Sequence, residues 1–141
     1  LGGPVYYELP LKNADKPPLD FVSIADRRAA FSDVPLAVTA AATFVEKSRL
    51  FPGATFVVGA DTAERIVAAR FYDSPAAMAE ALKTIGAQGC QFLVAGRLDA
   101  DGFQDLDDLG LPAESGELFS AIPEDQFRCD ISSTQLRDAA D

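Results

Sequence analysis

The sequence predicts an α/β fold, an open and mostly parallel β-sheet flanked by helices. Three observations carry that expectation. Short apolar segments alternate with segments of helical periodicity from Val5 to Ala95. The apolar segments are hydrophobic throughout rather than at every second residue, the pattern of parallel strands covered on both faces. Cap and stop residues punctuate the helical segments where the alternation needs them.

The elements follow in order. Residues 5–9 (Val-Tyr-Tyr-Glu-Leu) read as a strand, and a loop rich in proline and lysine runs from Pro10 to Pro18. Asp20 is placed to cap a helix reaching about Phe31, with Phe21, Ile24, Arg28 and Phe31 at helical spacing. Residues 36–39 form a short buried-type strand. Thr43-Phe44-Val45-Glu46 has the form of a capping box, opening a helix that ends near Phe51 with Pro52-Gly53 as its stop. Residues 55–58 are an apolar, β-branched strand, Gly59 makes the turn, and Asp61-Thr62-Ala63-Glu64 opens the next helix. Ser74-Pro75 pairs an N-cap with a proline at the first helical position. That helix runs to about Gln88, with Gly86 and Gly89 fraying its end, and residues 91–95 are the next strand. A β-hairpin is expected near 91–106, its arms within Arg97 to Gln104 and Asp101-Gly102 as its tight turn. The Asp-x-Asp-Gly there is not a calcium loop, because an EF-hand starting at Asp99 needs Gly and Glu where Gln104 and Gly110 stand.

The 141 residues are expected to form one domain, 1–141. The longest run without a charge, Thr84 to Gly96, is 13 residues, and Val34 to Val45 has 12; both are too short to span a bilayer. No leader-like segment is seen, and a cytoplasmic location is expected. Cys90 and Cys129 stand far apart and read as two reduced thiols. With no histidine in the chain, they offer no zinc site.

The net charge of −10 is localised. Residues 98–127 hold nine acids and no lysine or arginine, leaving 13 acids against 12 bases elsewhere. This stretch reads as a solvated, loop-rich region. A pI near 4.3 argues against a nucleic-acid backbone as the partner, since that needs clustered cations, and no nucleic acid is expected. A mononucleotide needs only a few local donors.

The candidate site residues lie at predicted β–α turns. Ile131-Ser132-Ser133-Thr134-Gln135-Leu136-Arg137 puts three hydroxyls at a helix start and an arginine about one turn later. Backbone N–H groups at such a start carry partial positive charge, and a guanidinium bridges two phosphate oxygens. The same residues also fit an ordinary capping box, Ser132 with Gln135. Asp61 reads either as a helix cap or as a carboxylate accepting hydrogen bonds from a ligand hydroxyl at a strand's carboxyl end. No dinucleotide fingerprint and no P-loop is present. The absence of histidine removes Ser-His-Asp and Cys-His catalysis, and no catalytic residue is assigned.

Taken together, these motifs make a pattern. Phe56-Val57-Val58-Gly59-Ala60-Asp61-Thr62, followed by Phe127-Arg128-Cys129-Asp130 and Ile131 to Arg137, resembles the nucleotidylyltransferase superfamily. This is the cytidylyltransferase-like group that includes the nicotinamide-mononucleotide adenylyltransferases. Thr39 to Lys47 with Leu50-Phe51-Pro52, and Pro10 to Lys16 with Arg27 or Arg28, are similar to earlier regions of that family. The resemblance implies a Rossmann-like sheet. It also implies transfer of a nucleotidyl group from a nucleoside triphosphate to a phosphorylated small molecule, with Mg²⁺ accompanying the nucleotide. By matching position, Ser132, Ser133, Thr134 and Arg137 would hold the triphosphate, and Lys16 would meet a phosphate. Gly59, Asp61 and Thr39 would lie at the acceptor or ribose.

The chain departs from that family in lacking its Gly-rich turn and HxGH motif, so the family's first, central strand is absent. An N-terminally truncated domain is therefore expected, inactive alone and prone to self-association through unpaired strand edges. Opening on Leu1, it is expected to be a processed, clipped or cloned piece. The competing expectation is a non-catalytic nucleotide-binding or protein-interaction module of the same fold.

Overall fold

A computed structural model describes residues 3–12, 20–99, 102–112, 115 and 117–127. The chain is a mixed α/β protein with parallel strands in open sheets flanked by helices. Its contacts divide it into two units, Leu1–Leu50 and Phe51–Asp141.

In the first unit, β1 (Tyr7–Pro10) pairs in parallel with β2 (Leu36–Thr39), Tyr7 opposite Leu36 and Pro10 opposite Thr39. The crossover contains α1 (Phe21–Ala30). Asp20 caps it as expected, its carboxylate accepting the Ser23 N–H at 2.7 Å. The turn after β2 leads into α2 (Phe44–Leu50). Here the expected capping box forms in full. Glu46 N–H donates to Thr43 Oγ1, while Glu46 Oε2 accepts the amides of Ala42 and Thr43 and the Thr43 hydroxyl. Gly53, in the Pro52-Gly53 stop, takes φ +75°, a conformation open to glycine.

In the second unit, β3 (Thr55–Gly59), β4 (Gln91–Ala95) and β7 (Phe119–Ile122) form a parallel sheet in the order β3-β4-β7. Between β3 and β4 lie α3 (Ala60–Val67) and α4 (Pro75–Ala87). Ser74 caps α4 through the Ala77 N–H, with Pro75 at its first position. After β4, β5 (Arg97–Asp99) and β6 (Gly102–Gln104) make the expected antiparallel pair. Asp99 sits opposite Gly102, so Gly102 is a strand residue at φ +126° rather than a central turn residue.

Two expectations change. The sequence pattern implies one parallel sheet, whereas the described strands make two, β1-β2 and β3-β4-β7. The acidic stretch 98–127 has the composition of solvated loop, yet it supplies β7, whose Phe119 is buried. Only Phe119 and Ile122 mark that strand among Ser120, Ala121 and flanking acids, too short a pattern to outweigh the local charge.

The core of the second unit is a row of rings on one sheet face. Register places Phe56, Phe92 and Phe119 side by side. Ring centroids are 5.8 Å apart from Phe56 to Phe92, and 4.8 Å from Phe92 to Phe119, which are stacked. Val94, Leu82, Ile85, Ala63 and Ile66 are buried in the same unit. Cys90 is buried too, its sulfur 3.3 Å from the Phe51 carbonyl oxygen. No described helix is long and apolar enough to cross a membrane.

Two measurements check this packing. Phe92→Ala removes the middle ring and should cost about 3–5 kcal/mol by urea unfolding. Val57→Ala, on the exposed face of the same sheet, should cost less than about 1 kcal/mol. The second measurement concerns pH. Backbone N–H donors hold the Asp20 and Glu46 carboxyls below their ordinary range, Ser23 acting on the first and Thr43 on the second. Carboxyls lowered on folding add stability that is full above the unfolded value, about 4.3 for glutamate, and lost as pH falls through the folded one. A Glu46→Gln chain should therefore show a shallower loss of stability on acidification, and an unchanged acid profile would contradict the cap's role.

Candidate functional site

The parallel register brings strand carboxyl ends together, and the β3–α3 turn of the second unit lies at such an end. Gly59 closes β3 opposite Ala95, the last residue of β4. Gly59 is also the N-cap of α3, with no side-chain cap bond. That corrects the reading of Asp61 as the cap. The helix begins at Ala60, and Asp61 lies in its first turn, where a negative charge suits the helix dipole.

The Asp61 carboxylate is bound by Arg97 Nη1. Arg97 opens β5, two residues after the end of β4, so the ion pair joins the rims of neighbouring strands. Both side chains are solvent-accessible, at 63% for Asp61 and 43% for Arg97. Such a pair is worth about 0–1 kcal/mol, so a ligand could separate it at little cost. Gly96 sets where Arg97 stands. A Cβ at Gly96 would meet the Phe103 ring and come within 2.9 Å of the Gln104 carbonyl oxygen. Only glycine lets the β5–β6 pair fold this closely over the end of β4.

Thr39 ends β2 in the first unit and is buried. Its hydroxyl donates to Glu8 Oε1 at 2.5 Å and accepts the Ala41 N–H at 3.3 Å. Glu8 Oε2 in turn accepts from Lys47 Nζ at 2.5 Å, and Lys47 is only 9% exposed. This chain of bonds ties β1, β2, the β2–α2 turn and α2 together. The one side-chain donor of Thr39 is thus already committed inside the protein. Lys16, Ser132, Ser133, Thr134 and Arg137 lie outside the described residues, so the structure brings Gly59 and Asp61 together and leaves the phosphate-gripping group unplaced.

Sequence reasoning missed three participants, namely Arg97, Glu8 and Lys47. Arg97 carried a usable signal as a lone cation directly after a strand and a glycine. Glu8 inside an apolar strand carried another, since a carboxylate there needs a buried partner. Lys47 gave none, because a lysine on a short helix is ordinarily solvated.

A separate open groove of about 660 Å³ lies in the first unit, lined by Ala25, Arg28, Ala29, Phe31, Val34 and Leu36 among others. It adjoins Leu36, the amino end of β2, opposite to where open parallel sheets bind ligands. Among the described residues, no three His, Cys, Asp or Glu side chains gather in a way that could hold a metal ion. Comparison with protein-family models, with curated proteins and with solved structures found no match to this chain.

The Glu8–Lys47 pair can be tested directly. Glu8→Ala should destabilise the protein by about 3 kcal/mol, because it strands a buried ammonium. Glu8→Leu with Lys47→Met should cost markedly less than Glu8→Ala, since no uncompensated charge remains. Equal losses in urea unfolding would show that the pair holds nothing together.

Proposed function

We propose that this chain is part of a nucleotidylyltransferase-like domain of Rossmann-like fold that binds a nucleotide at the carboxyl ends of β3 and β4. The observation that carries the reading is the Gly59-Ala60-Asp61 turn. It sits at the carboxyl end of a parallel strand, opens a helix whose first amides have no side-chain cap, and presents an exposed acid beside an exposed arginine. Asp61 suits a ribose or acceptor hydroxyl, and Arg97 suits a phosphate. The resemblance of Ile131 to Arg137 adds Ser132, Ser133, Thr134 and Arg137 as the triphosphate grip, and Lys16 as a further phosphate contact.

The reaction of the parent domain would be an in-line displacement. An acceptor phosphate oxygen bonds to the α-phosphorus of the nucleoside triphosphate, the bond from that phosphorus to the bridging oxygen breaks, and pyrophosphate leaves with the electron pair. The protein's part is alignment and charge neutralisation. Among the described residues no group of acids gathers that could hold a cation by itself. Mg²⁺ arriving with a triphosphate would be carried by phosphate oxygens and water. The second reading, a non-catalytic nucleotide-binding or interaction module of the same fold, is favoured by one observation. The chain has no histidine to steady the leaving phosphates.

Thermal unfolding with ATP or CTP and Mg²⁺ tests binding. A nucleotide present at about 100 times its dissociation constant should stabilise the chain by ~2.7 kcal/mol. Arg97→Ala and Arg137→Ala should weaken triphosphates more than nucleosides, and Asp61→Ala should weaken both. No stabilisation by any nucleotide would overturn the reading. Binding without pyrophosphate release, even with an HxGH-bearing segment restored, would favour the second.

A further inference from the structure

The groove of the first unit has the build of a small-molecule site. Its volume of about 660 Å³ falls within the roughly 300–1,000 Å³ of such sites. Ala25, Arg28 and Ala29 stand at i, i+3 and i+4 and so share one face of α1. The two alanines end at Cβ, which leaves the hollow. Phe31, Val34 and Leu36, on the return into β2, complete an apolar lining. The Phe31 ring packs against that of Tyr7, centroids 5.2 Å apart, which fixes it in the wall. Arg28 is the one charged residue that lines the groove, and its sequence neighbours Asp26 and Asp33 do not. Among the described residues no acid, hydroxyl or carbonyl engages the Arg28 guanidinium, whereas Lys47, Arg70 and Arg97 are each paired. A cation in the last turn of a helix suits the dipole, but Arg27 supplies one there too and lies outside the groove. The dipole therefore does not explain a second arginine on the groove side.

We propose that this groove binds a small aromatic acid, a molecule of one or two rings that bears a single carboxylate. Charge and shape argue for that occupant. An apolar lining selects rings, and Phe31 offers one of its own to pack against. The unengaged guanidinium selects an anion and can take both oxygens of a carboxylate. One cation suits one negative charge, so a triphosphate does not fit. The inference goes beyond the nucleotide reading and does not rest on it.

Fluorescence titration with anilinonaphthalene sulfonate tests it, because this probe joins aromatic rings to one anionic group and brightens in apolar surroundings. It should bind at one saturable site per chain, and naphthoate should displace it. Arg28→Gln should weaken the sulfonate by about fivefold, the size of an exposed ion pair, and leave the uncharged phenylnaphthylamine unchanged. Ala29→Trp, at an exposed helix position, fills the hollow and should abolish binding of both probes. Circular dichroism should be unaltered in either variant. Sulfonate affinity that Arg28→Gln leaves unchanged, or an equal loss for the uncharged probe, would overturn the role of the charge. Binding that survives Ala29→Trp, or many weak sites that naphthoate does not displace, would overturn the groove as the site. Nucleotides play no part in these readouts, so a failure of nucleotide binding would leave the result standing.

Discussion

Parallel pairing is the constraint on which the rest of this protein depends. Because β1 runs with β2, and β3 with β4 and β7, each strand must be followed by a crossover, and the crossovers bury one sheet face. The same constraint aligns strand ends. Pro10 stands opposite Thr39, Gly59 opposite Ala95, and Ala95 opposite Ile122. Near the β3 and β4 ends lie Asp61 and Arg97, and in the first unit Thr39, at the end of β2, bonds Glu8 of β1, which also takes Lys47 of α2. Within each unit, an antiparallel arrangement would send neighbouring turns to opposite ends and disperse its groups.

The two units stabilise their sheets differently. The second relies on stacked rings and aliphatic side chains, with Phe92 between Phe56 and Phe119. The first has a polar centre, where buried Thr39, Lys47 and Ser48 accompany Leu9 and Ala41. A polar centre holds only while every member has its partner, which makes Glu8 the sensitive position. Acids elsewhere serve local backbone. Asp20 and Glu46 cap helices, Asp108 accepts the Asp105 N–H, and Asp105 accepts the Asp107 N–H. Four of the 22 acids thus satisfy backbone amides.

Much of the fold was legible in the sequence because its signals were local. Asp20, the Thr43–Glu46 box, and Ser74-Pro75 each state a helix start through chemistry contained within four residues. The strands at 36–39 and 91–95 were legible as unbroken apolar runs. What escaped was non-local. β7 is a strand because Phe119 finds Phe92, a partner 27 residues earlier, and nothing in Phe-Ser-Ala-Ile announces that. Arg97 matters because Asp61 is opposite it, across 36 residues of sequence. Glu8 and Lys47, 39 residues apart, likewise reveal their pairing only in three dimensions. The Gly59-Ala60-Asp61 turn was found because glycine after an apolar strand is a local signal.

Amide chemical-shift mapping of the isotopically labelled chain, titrated with Mg²⁺–ATP, tests the central claim most directly. Nucleotide binding at the carboxyl ends of β3 and β4 predicts saturable shifts concentrated at Gly59, Ala60, Asp61, Thr62 and Arg97, while the amides of Ala25 to Leu36 stay unmoved. Shifts confined to the groove beside Leu36, or a spectrum that Mg²⁺–ATP leaves unchanged, would contradict the account.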